Sequence, residues 1–411
     1  MAQEKTPGVY IVEKNAFPNS VVEVATAVPA FAGYTQKARR GNNDLTNTPT
    51  RISSLAEFHL LFGFGPKVVF TLAEGTGKLD YGIDAASHFH LYNSMRIFFD
   101  NGGGPCWIVS VGNFGDADNP TDKSANHFKD IWTPLKKEQE PTMVVIPDAV
   151  LLSPADYVSV STAALSHCTE MRSRVAILDV FDGNKERTYA DDDVISGNTG
   201  FRNVIQSDFP SYGMAYYPWV NTNIVAAADI NYTNINADGI GVLSKVVTDE
   251  QAERAKLTGK QVKQEVTDLI AGMAKADASD ADITKTHQAL MTLSDAYKEA
   301  MAHVLELANV LPPSGAMAGV YTRTDNNFGV FKAPANTGIA SVMSPTVPIS
   351  HEDQEDLNVP LDGKAINAIR SFIGRGVLVW GARTLDGNSQ DWRYINVRRT
   401  LIMLEQSISF A

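Results

Sequence analysis

Two short apolar runs that each stop at an aspartate, Met143-Val144-Val145-Ile146-Pro147-Asp148 and Val175-Ala176-Ile177-Leu178-Asp179, constrain this chain more than anything else in it. The stretch between them, around Ala155 to Arg172, has a helical pattern. Strand, helix, strand with both strands apolar throughout is the pattern of a parallel sheet whose faces are covered by helices. Two further runs fit the same sheet: Cys106 to Val111, entered through the break Gly102-Gly103-Gly104-Pro105, and Met214 to Trp219. An α/β core is the expectation.

Other stretches are assigned by their local pattern. Thr6 to Glu13 is a Pro-Gly punctuation followed by a β-branched and aromatic run, which predicts a strand, and Val21 to Tyr34 is β-rich. Polar residues from Gly41 to Thr50 predict an exposed loop, and Ser53-Ser54 a cap for the helix that starts near Leu55. Ala85, Phe89, Tyr92, Met95 and Phe99 share neighbouring helical faces between Tyr81 and Asp100. Between Thr248 and Leu311 there are two amphipathic stripes, Val262 to Met273 and Leu290 to Leu311, with a small, acidic loop from Gly272 to Asp282. They predict a helical hairpin packed on the sheet, or alternatively a partner-binding coiled coil. After Pro312-Pro313 an irregular Gly-rich stretch is expected, then a loop from Gly338 to Pro360 that ends in the acidic cluster His351 to Asp356. The last elements are a short helix from Lys364 to Ile373, a strand from Val377 to Trp380, and a helix from Trp392 to Ile408 with Val397, Leu401, Leu404 and Ile408 on one face. No internal repeat is visible.

At 411 residues the chain is long for one core, so two or three domains are expected. The net charge of −12 argues against nucleic acid as a partner. The charge is uneven, because residues 363–411 carry seven Lys/Arg against three acids, +4, which leaves −16 on the rest. The first residues have no apolar signal-peptide core and no run approaches the roughly 20 apolar residues of a membrane span, so synthesis and assembly in a cytosol are expected. The two cysteines, Cys106 and Cys168, are too few for a disulfide framework and are read as small core residues.

The search for catalytic chemistry fails at each step. Glu74-Gly75-Thr76-Gly77-Lys78-Leu79 lacks the first glycine of a phosphate loop, where Leu72 stands, and the hydroxyl residue after the lysine. Asn101-Gly102-Gly103-Gly104 leads into a strand instead of opening a helix, so it offers no dipole for a pyrophosphate. His88 and His90 are two apart and on a helix diverge, against a shared metal. Asp148, His167 and some serine are a conceivable hydrolase triad, but no Gly-x-Ser-x-Gly elbow accompanies them. Asp191-Asp192-Asp193 is read as a solvated loop in preference to a cation site.

Several gap-free segments resemble the contractile tail sheath proteins of phage tails, pyocins and extracellular contractile injection systems. TPGVYIVE at 6–13 resembles the family's opening strand and TAVPAFAGY at 26–34 the stretch that follows it. PTRISSLAEFHLLFG at 49–63 is similar to its Thr-Arg-Ile helix, and FFDNGGGPCWIVSVG at 98–112 to its Asn-Gly-Gly turn and strand. LPPSGAMAGVYTRTDNNFGVFKAPAN at 311–336 is close to a sheath signature along its length, with Phe331 where many members have Trp. RGVLVWGARTL at 375–385 and INVRRTLIMLEQSI at 395–408 resemble the start of the C-terminal domain. About 117–140 and 248–305 carry no recognisable signature.

The resemblance implies an α/β fold with a subtilisin-like parallel-sheet middle domain, an inner α+β sheath domain built from both chain ends, and a helical insertion. The corresponding parts are an N-terminal strand arm at 1–25, an α/β middle and outer region at 26–247, a helical hairpin at 248–311, the signature at 312–344 and a C-terminal inner domain at 345–411. It implies a structural sheath subunit that stacks in helical hexameric layers, with no catalytic residue, no cofactor and no metal. The implied partners are neighbouring copies, an inner tube, and baseplate and terminal cap proteins, with no nucleic acid and no direct membrane insertion. Thr6, Pro7, Gly8, Val9, Tyr10, Ile11, Val12 and Glu13 are the candidate strand-exchange arm. Arg393, Arg398 and Arg399 are the candidate tube-facing charges, the bland alternative being a solvated basic helix. Family members continue past the helix matching 395–408, so the chain is expected to be a truncated or partial form of a longer subunit. An α/β hydrolase or nucleotide-binding enzyme is the alternative from another class, and a phage tail sheath the alternative within the same one.

Overall fold

A computed structural model describes residues 24–76, 78–115, 121–275 and 277–409. The proposed arm at Thr6 to Glu13 lies outside them. A nine-stranded sheet runs through the molecule in the order Thr337–Gly338, Gly376–Val379, Asn367–Phe372, Gly213–Tyr217, Val175–Asp179, Met143–Val145, Pro29–Thr35, Cys106–Asn113, Thr50–Ile52. The inner neighbours pair in parallel, and antiparallel strands close both margins. Pro29–Thr35, Met143–Val145, Val175–Asp179 and Gly213–Tyr217 are buried at every residue, because helices cover both faces. The α/β expectation from the two Asp-ended runs is therefore met by a mixed α/β fold with a large, mostly parallel sheet. The helix Pro154–Met171 joins them, opened by Ser153, whose hydroxyl accepts the Asp156 N–H, and by proline in its first turn.

Local expectations differ from the structure in several places. The stretch after Pro312-Pro313 is a helix, Ser314–Phe328, buried from Ser314 to Thr322. Its glycines are contact points, since Gly315 and Gly319 stand four apart on the face that meets the helix Leu91–Asp100. A Cβ on Gly319 would lie 2.6 Å from the Phe98 carbonyl oxygen, and one on Gly315 would lie 2.7 Å from Ser94 Cβ. Residues 364–373 contain the strand Asn367–Phe372, which pairs with Gly213–Tyr217 on one side and Gly376–Val379 on the other, so sheet pairing overrides a helical pattern. The 338–360 loop contains the strand Val342–Pro345 and the helix His351–Asn358 with a Ser350–Asp353 capping box. Of Tyr81 to Asp100 only Leu91–Asp100 is α-helix; Leu79–Ile83 pairs with Phe70–Glu74 in a hairpin.

That hairpin belongs to a second core. It packs with the helices Ala237–Thr258, Gln264–Gly272, Asp280–Leu293 and Asp295–Ala308 around Phe70, Leu243, Leu290, Tyr297 and Val304. Four helices thus stand where two were expected, and the first begins at Ala237, ahead of position 248. Ser279 and Ser294 cap the last two, each accepting an N–H three residues on. The strands Val310–Leu311, Val220–Thr222 and Val342–Pro345 form a small antiparallel sheet where the chain passes between the cores. Asn309 fixes that passage: Oδ1 accepts from Val225 N–H at 2.9 Å and Nδ2 donates to the Val225 and Leu305 carbonyls at 3.0 Å each. Among the described residues no helix is long and apolar enough to cross a membrane.

Candidate functional site

The carboxyl ends of the parallel strands, where α/β enzymes bind their substrates, are occupied by the protein's own backbone. Asp148 is fully buried, and its carboxylate accepts N–H bonds from Tyr34 at 2.8 Å, His90 at 2.6 Å and Leu91 at 3.2 Å. It caps the first turn of Leu91–Asp100 and ties it to the end of Pro29–Thr35. A Cβ on Gly33 would sit 2.5 Å from its Oδ2, which leaves no space for a substrate. Burial pushes this carboxyl above its ordinary value, against the three donors. Asp179 accepts both the N–H and the hydroxyl of Ser314 at the start of the signature helix, and burial raises it to about 7.

His167 is bonded elsewhere. Its Nε2 is 3.2 Å from Arg174 Nη1, and Arg174 also donates to the Leu135 and Glu138 carbonyls. Burial, then the Arg174 charge, lowers the imidazole to about 4. Asp148 and His167 thus serve different contacts, and no hydrolase triad assembles from them. His88 and His90 stack edge to face with ring centres 4.5 Å apart, and among the described residues no cluster of three metal-ligating side chains exists. The turn at Glu74 to Leu79 is the connection of the hairpin, with Gly75 N–H donating to the Lys78 carbonyl at 2.9 Å.

Asp193 departs from the solvated-loop expectation. It is buried and receives Arg187 Nη2 at 2.9 Å, while Arg187 and Arg202 both reach Asp356 on the helix His351–Asn358. Burial works against its charge, yet Arg187 and Ser196 hold the carboxyl well below the usual range. The pairing of Arg187 with Asp356 had no sequence signal, since the partners lie 169 positions apart.

What the structure does assemble is a junction of the two ends of the described chain. The Thr142 hydroxyl receives Val28 N–H at 2.9 Å and donates to the Thr26 carbonyl at 2.9 Å, holding the incoming backbone against the sheet. Arg399, on the helix Ile395–Ser409, donates to the same Thr26 carbonyl at 2.8 Å and grips both oxygens of Asp325 at 3.0 and 2.6 Å. Its guanidinium lies 4.7 Å from the Tyr321 ring centre, and the Tyr321 hydroxyl bonds that of Tyr216 at 2.7 Å. Arg398 is also buried, between Tyr212 at 4.1 Å and Trp392 at 4.4 Å.

Two of the three candidate tube-facing arginines therefore point into the protein, because this face of the helix packs on aromatic rings and an aspartate. Arg393 is half-buried, 5.4 Å from the Tyr394 ring. The opposite face carries the apolar stripe read from the sequence, with Val397, Leu404 and Ile408 exposed and Leu401 half-buried. On the Arg399 side of the helix a cavity of about 210 Å³ is lined by Val24, Ala25, Val330, Ile402 and Met403. Phe328 and Phe331 are exposed nearby, the carbonyl of Phe331 accepting from Asn396 at 2.8 Å.

No protein-family model and no curated protein sequence matches this chain. Solved structures do. The helical sheath of the anti-feeding prophage (AFP) in its contracted state aligns over 99% of this chain and 76% of its own, at 23% identity and a TM-score of 0.54. The contracted sheath complex of the extracellular contractile injection system PVC aligns over 100% and 75%, at 21% identity and a TM-score of 0.53. A chain of the six-fold symmetrised AFP baseplate aligns over 99% and 76%, at 23% and 0.52. The likeness runs the length of the chain and includes both cores, so this protein has the fold of contractile injection system sheath structures.

Proposed function

We propose that this protein is a structural subunit of the sheath of a contractile injection system, which polymerises around an inner tube and contracts to drive the tube through a target envelope. The observation that carries the reading is the whole-length structural likeness to contracted sheaths. The filled strand ends support it, since the buried carboxylates Asp148 and Asp179 are used to hold helices. In this reading the subunits stack in hexameric layers, the middle region is a subtilisin-like scaffold without protease activity, and an inner domain is built from both chain ends. Baseplate, terminal cap and tube proteins are the partners, and the particle assembles in the cytoplasm; a phage tail sheath is the variant within the same class.

Thr6 to Glu13 is the arm that adds a strand to a neighbour's sheet edge, a link strong in its backbone ladder that survives large subunit rotations. Contraction draws on extra interface at roughly 25 cal/mol per Å² of apolar surface, less ordering and desolvation costs. The extended state is metastable and is held by tube contacts. Arg393 is the remaining tube-facing candidate of its group. Electron microscopy of the protein expressed alone and with its tube partner tests the reading. Long hollow tubes with a helical repeat are expected; a monodisperse monomer under both conditions would refute it. Deleting residues 1–13 is expected to leave a folded subunit that forms no connected tubes.

A further inference from the structure

The hairpin Asn367–Phe372 and Gly376–Val379 carries positive charge on aromatic rings at the margin of the large sheet. The Arg370 guanidinium lies 5.3 Å from the Phe372 ring centre, and that of Arg375 lies 5.7 Å from Trp380, whose ring is 4.7 Å from Phe372. Neither arginine has a carboxylate partner among the described residues; Arg375 donates only to the Asn336 amide oxygen at 2.6 Å. Ile373 at the hairpin tip is fully exposed. An arginine packed against an aromatic ring keeps its charge, which suits recognition of carboxylates.

Next to this hairpin stands a surface of opposite sign. The Arg187 network clamps the 186–193 loop to the helix His351–Asn358, so that the exposed Glu186, Asp191 and Glu352 are brought to one lobe around the exposed ring of Tyr189, which bonds Asp353. None of those three carboxylates has an ion-pair partner among the described residues. The lobe adjoins the hairpin through Gln354, which donates to the Trp380 carbonyl at 3.2 Å. Two charged surfaces of opposite sign, each rigidly built, thus lie side by side without neutralising one another.

We infer that the basic hairpin at 367–379 docks on the acidic 186–193 and 351–356 lobe of a second copy of this chain. A neighbour displaced along the line from hairpin to lobe brings its lobe against the hairpin, a contact between unlike surfaces that repeats from subunit to subunit. Local charge complementarity favours a second copy, since the hairpin carries Arg370 and Arg375 without an acidic residue while the lobe of every copy carries the exposed Glu186, Asp191 and Glu352. This deepens, and rests on, the homopolymer reading above.

A charge swap tests it on the full chain, using light scattering and sedimentation to find the concentration at which self-association begins. One variant carries Arg370→Glu with Arg375→Glu, the other Asp191→Lys with Glu352→Lys; all four sites are on the surface or half-buried, and melting temperatures are expected to match the unaltered chain. Each variant alone is expected to need a roughly tenfold or higher concentration, and an equimolar mixture to recover most of the loss, because each restores an attractive pair for the other. Raising salt is expected to weaken the unaltered contact. Two variants that assemble like the unaltered chain, a mixture that recovers nothing, or assembly that stops at dimers would each overturn the docking and leave the sheath reading standing. An unaltered chain that stays monomeric both alone and with its tube partner would overturn both.

Discussion

The two cores of this molecule are held together by different means. In the sheet body the long-range ties are made by buried charged groups: Asp325 with Arg399, Arg187 with Asp356, Arg174 with backbone carbonyls, Asp148 and Asp179 with helix amides. The helical module has apolar stripes and serine caps, and its charged pairs, such as Lys245 with Glu74 and Arg254 with Asp295, are on the surface. A buried ion pair contributes little net stability but leaves a stranded charge when one partner is lost, whereas an apolar stripe tolerates charge changes around it. Position is therefore specified more tightly in the sheet body, the part that anchors the chain ends, than in the helices.

The contrast is measurable, because all five tryptophans lie outside the helical module. Tryptophan fluorescence follows the sheet body, and far-ultraviolet circular dichroism is weighted toward the helices. The largest effect is expected for Asp325→Ala, which leaves Arg399 buried without its carboxylate: a loss of about 3–5 kcal/mol in urea unfolding followed by fluorescence. Leu290→Ala is expected to remove about 2–4 kcal/mol from the circular dichroism transition while the fluorescence midpoint stays in place. Coincident shifts of both probes in both variants would show that the cores unfold as one, and the contrast would fail.

A third test uses pH. The buried imidazole of His167 titrates at about 4 in the folded protein and near its ordinary 6.5 when unfolded. Between these values the unfolded chain binds the proton and the folded one does not, so stability falls as pH drops from about 6.5 to 4, by up to about 3 kcal/mol. Asp179 has the opposite sign, since its raised value favours the folded state at low pH and that contribution is lost as pH rises through about 7. The His167 part is isolated by His167→Gln, whose stability relative to the unaltered chain is expected to improve steadily over the acid window. The smallest effect is expected for Glu74→Ala, which removes an exposed pair with Lys245 and should shift neither probe by more than about 1 kcal/mol.

The parts of the fold legible in the sequence are those where local pattern and burial agree. Val175 to Asp179 is apolar throughout because both faces of its strand are covered, and Ser54 precedes its helix because its hydroxyl accepts the Glu57 N–H. The signature helix Ser314–Phe328 was illegible as a helix because glycine, which weakens isolated helices, is there the residue that lets two helix backbones touch. The strand Asn367–Phe372 was hidden for a related reason, its conformation being set by partners on both sides. Among site residues, the apolar stripe Val397, Leu404, Ile408 was visible by spacing. The inward turn of Arg398 and Arg399 was not, because a basic residue in sequence looks the same whether it meets water or a buried aspartate.

The passage between the cores has a mechanical meaning. The chain crosses from sheet body to helical module near residues 63–69, returns near 84–88, crosses again near 223–229 and returns at Asn309. A module on one linker swivels; a module on several separated tethers resists torsion and divides an applied load among them. The amide of Asn309, gripping the backbone of a second crossing at Val225, makes two of those tethers carry strain together. A pull on the helices is thereby delivered to the sheet at several points, as through a bracket instead of a pivot.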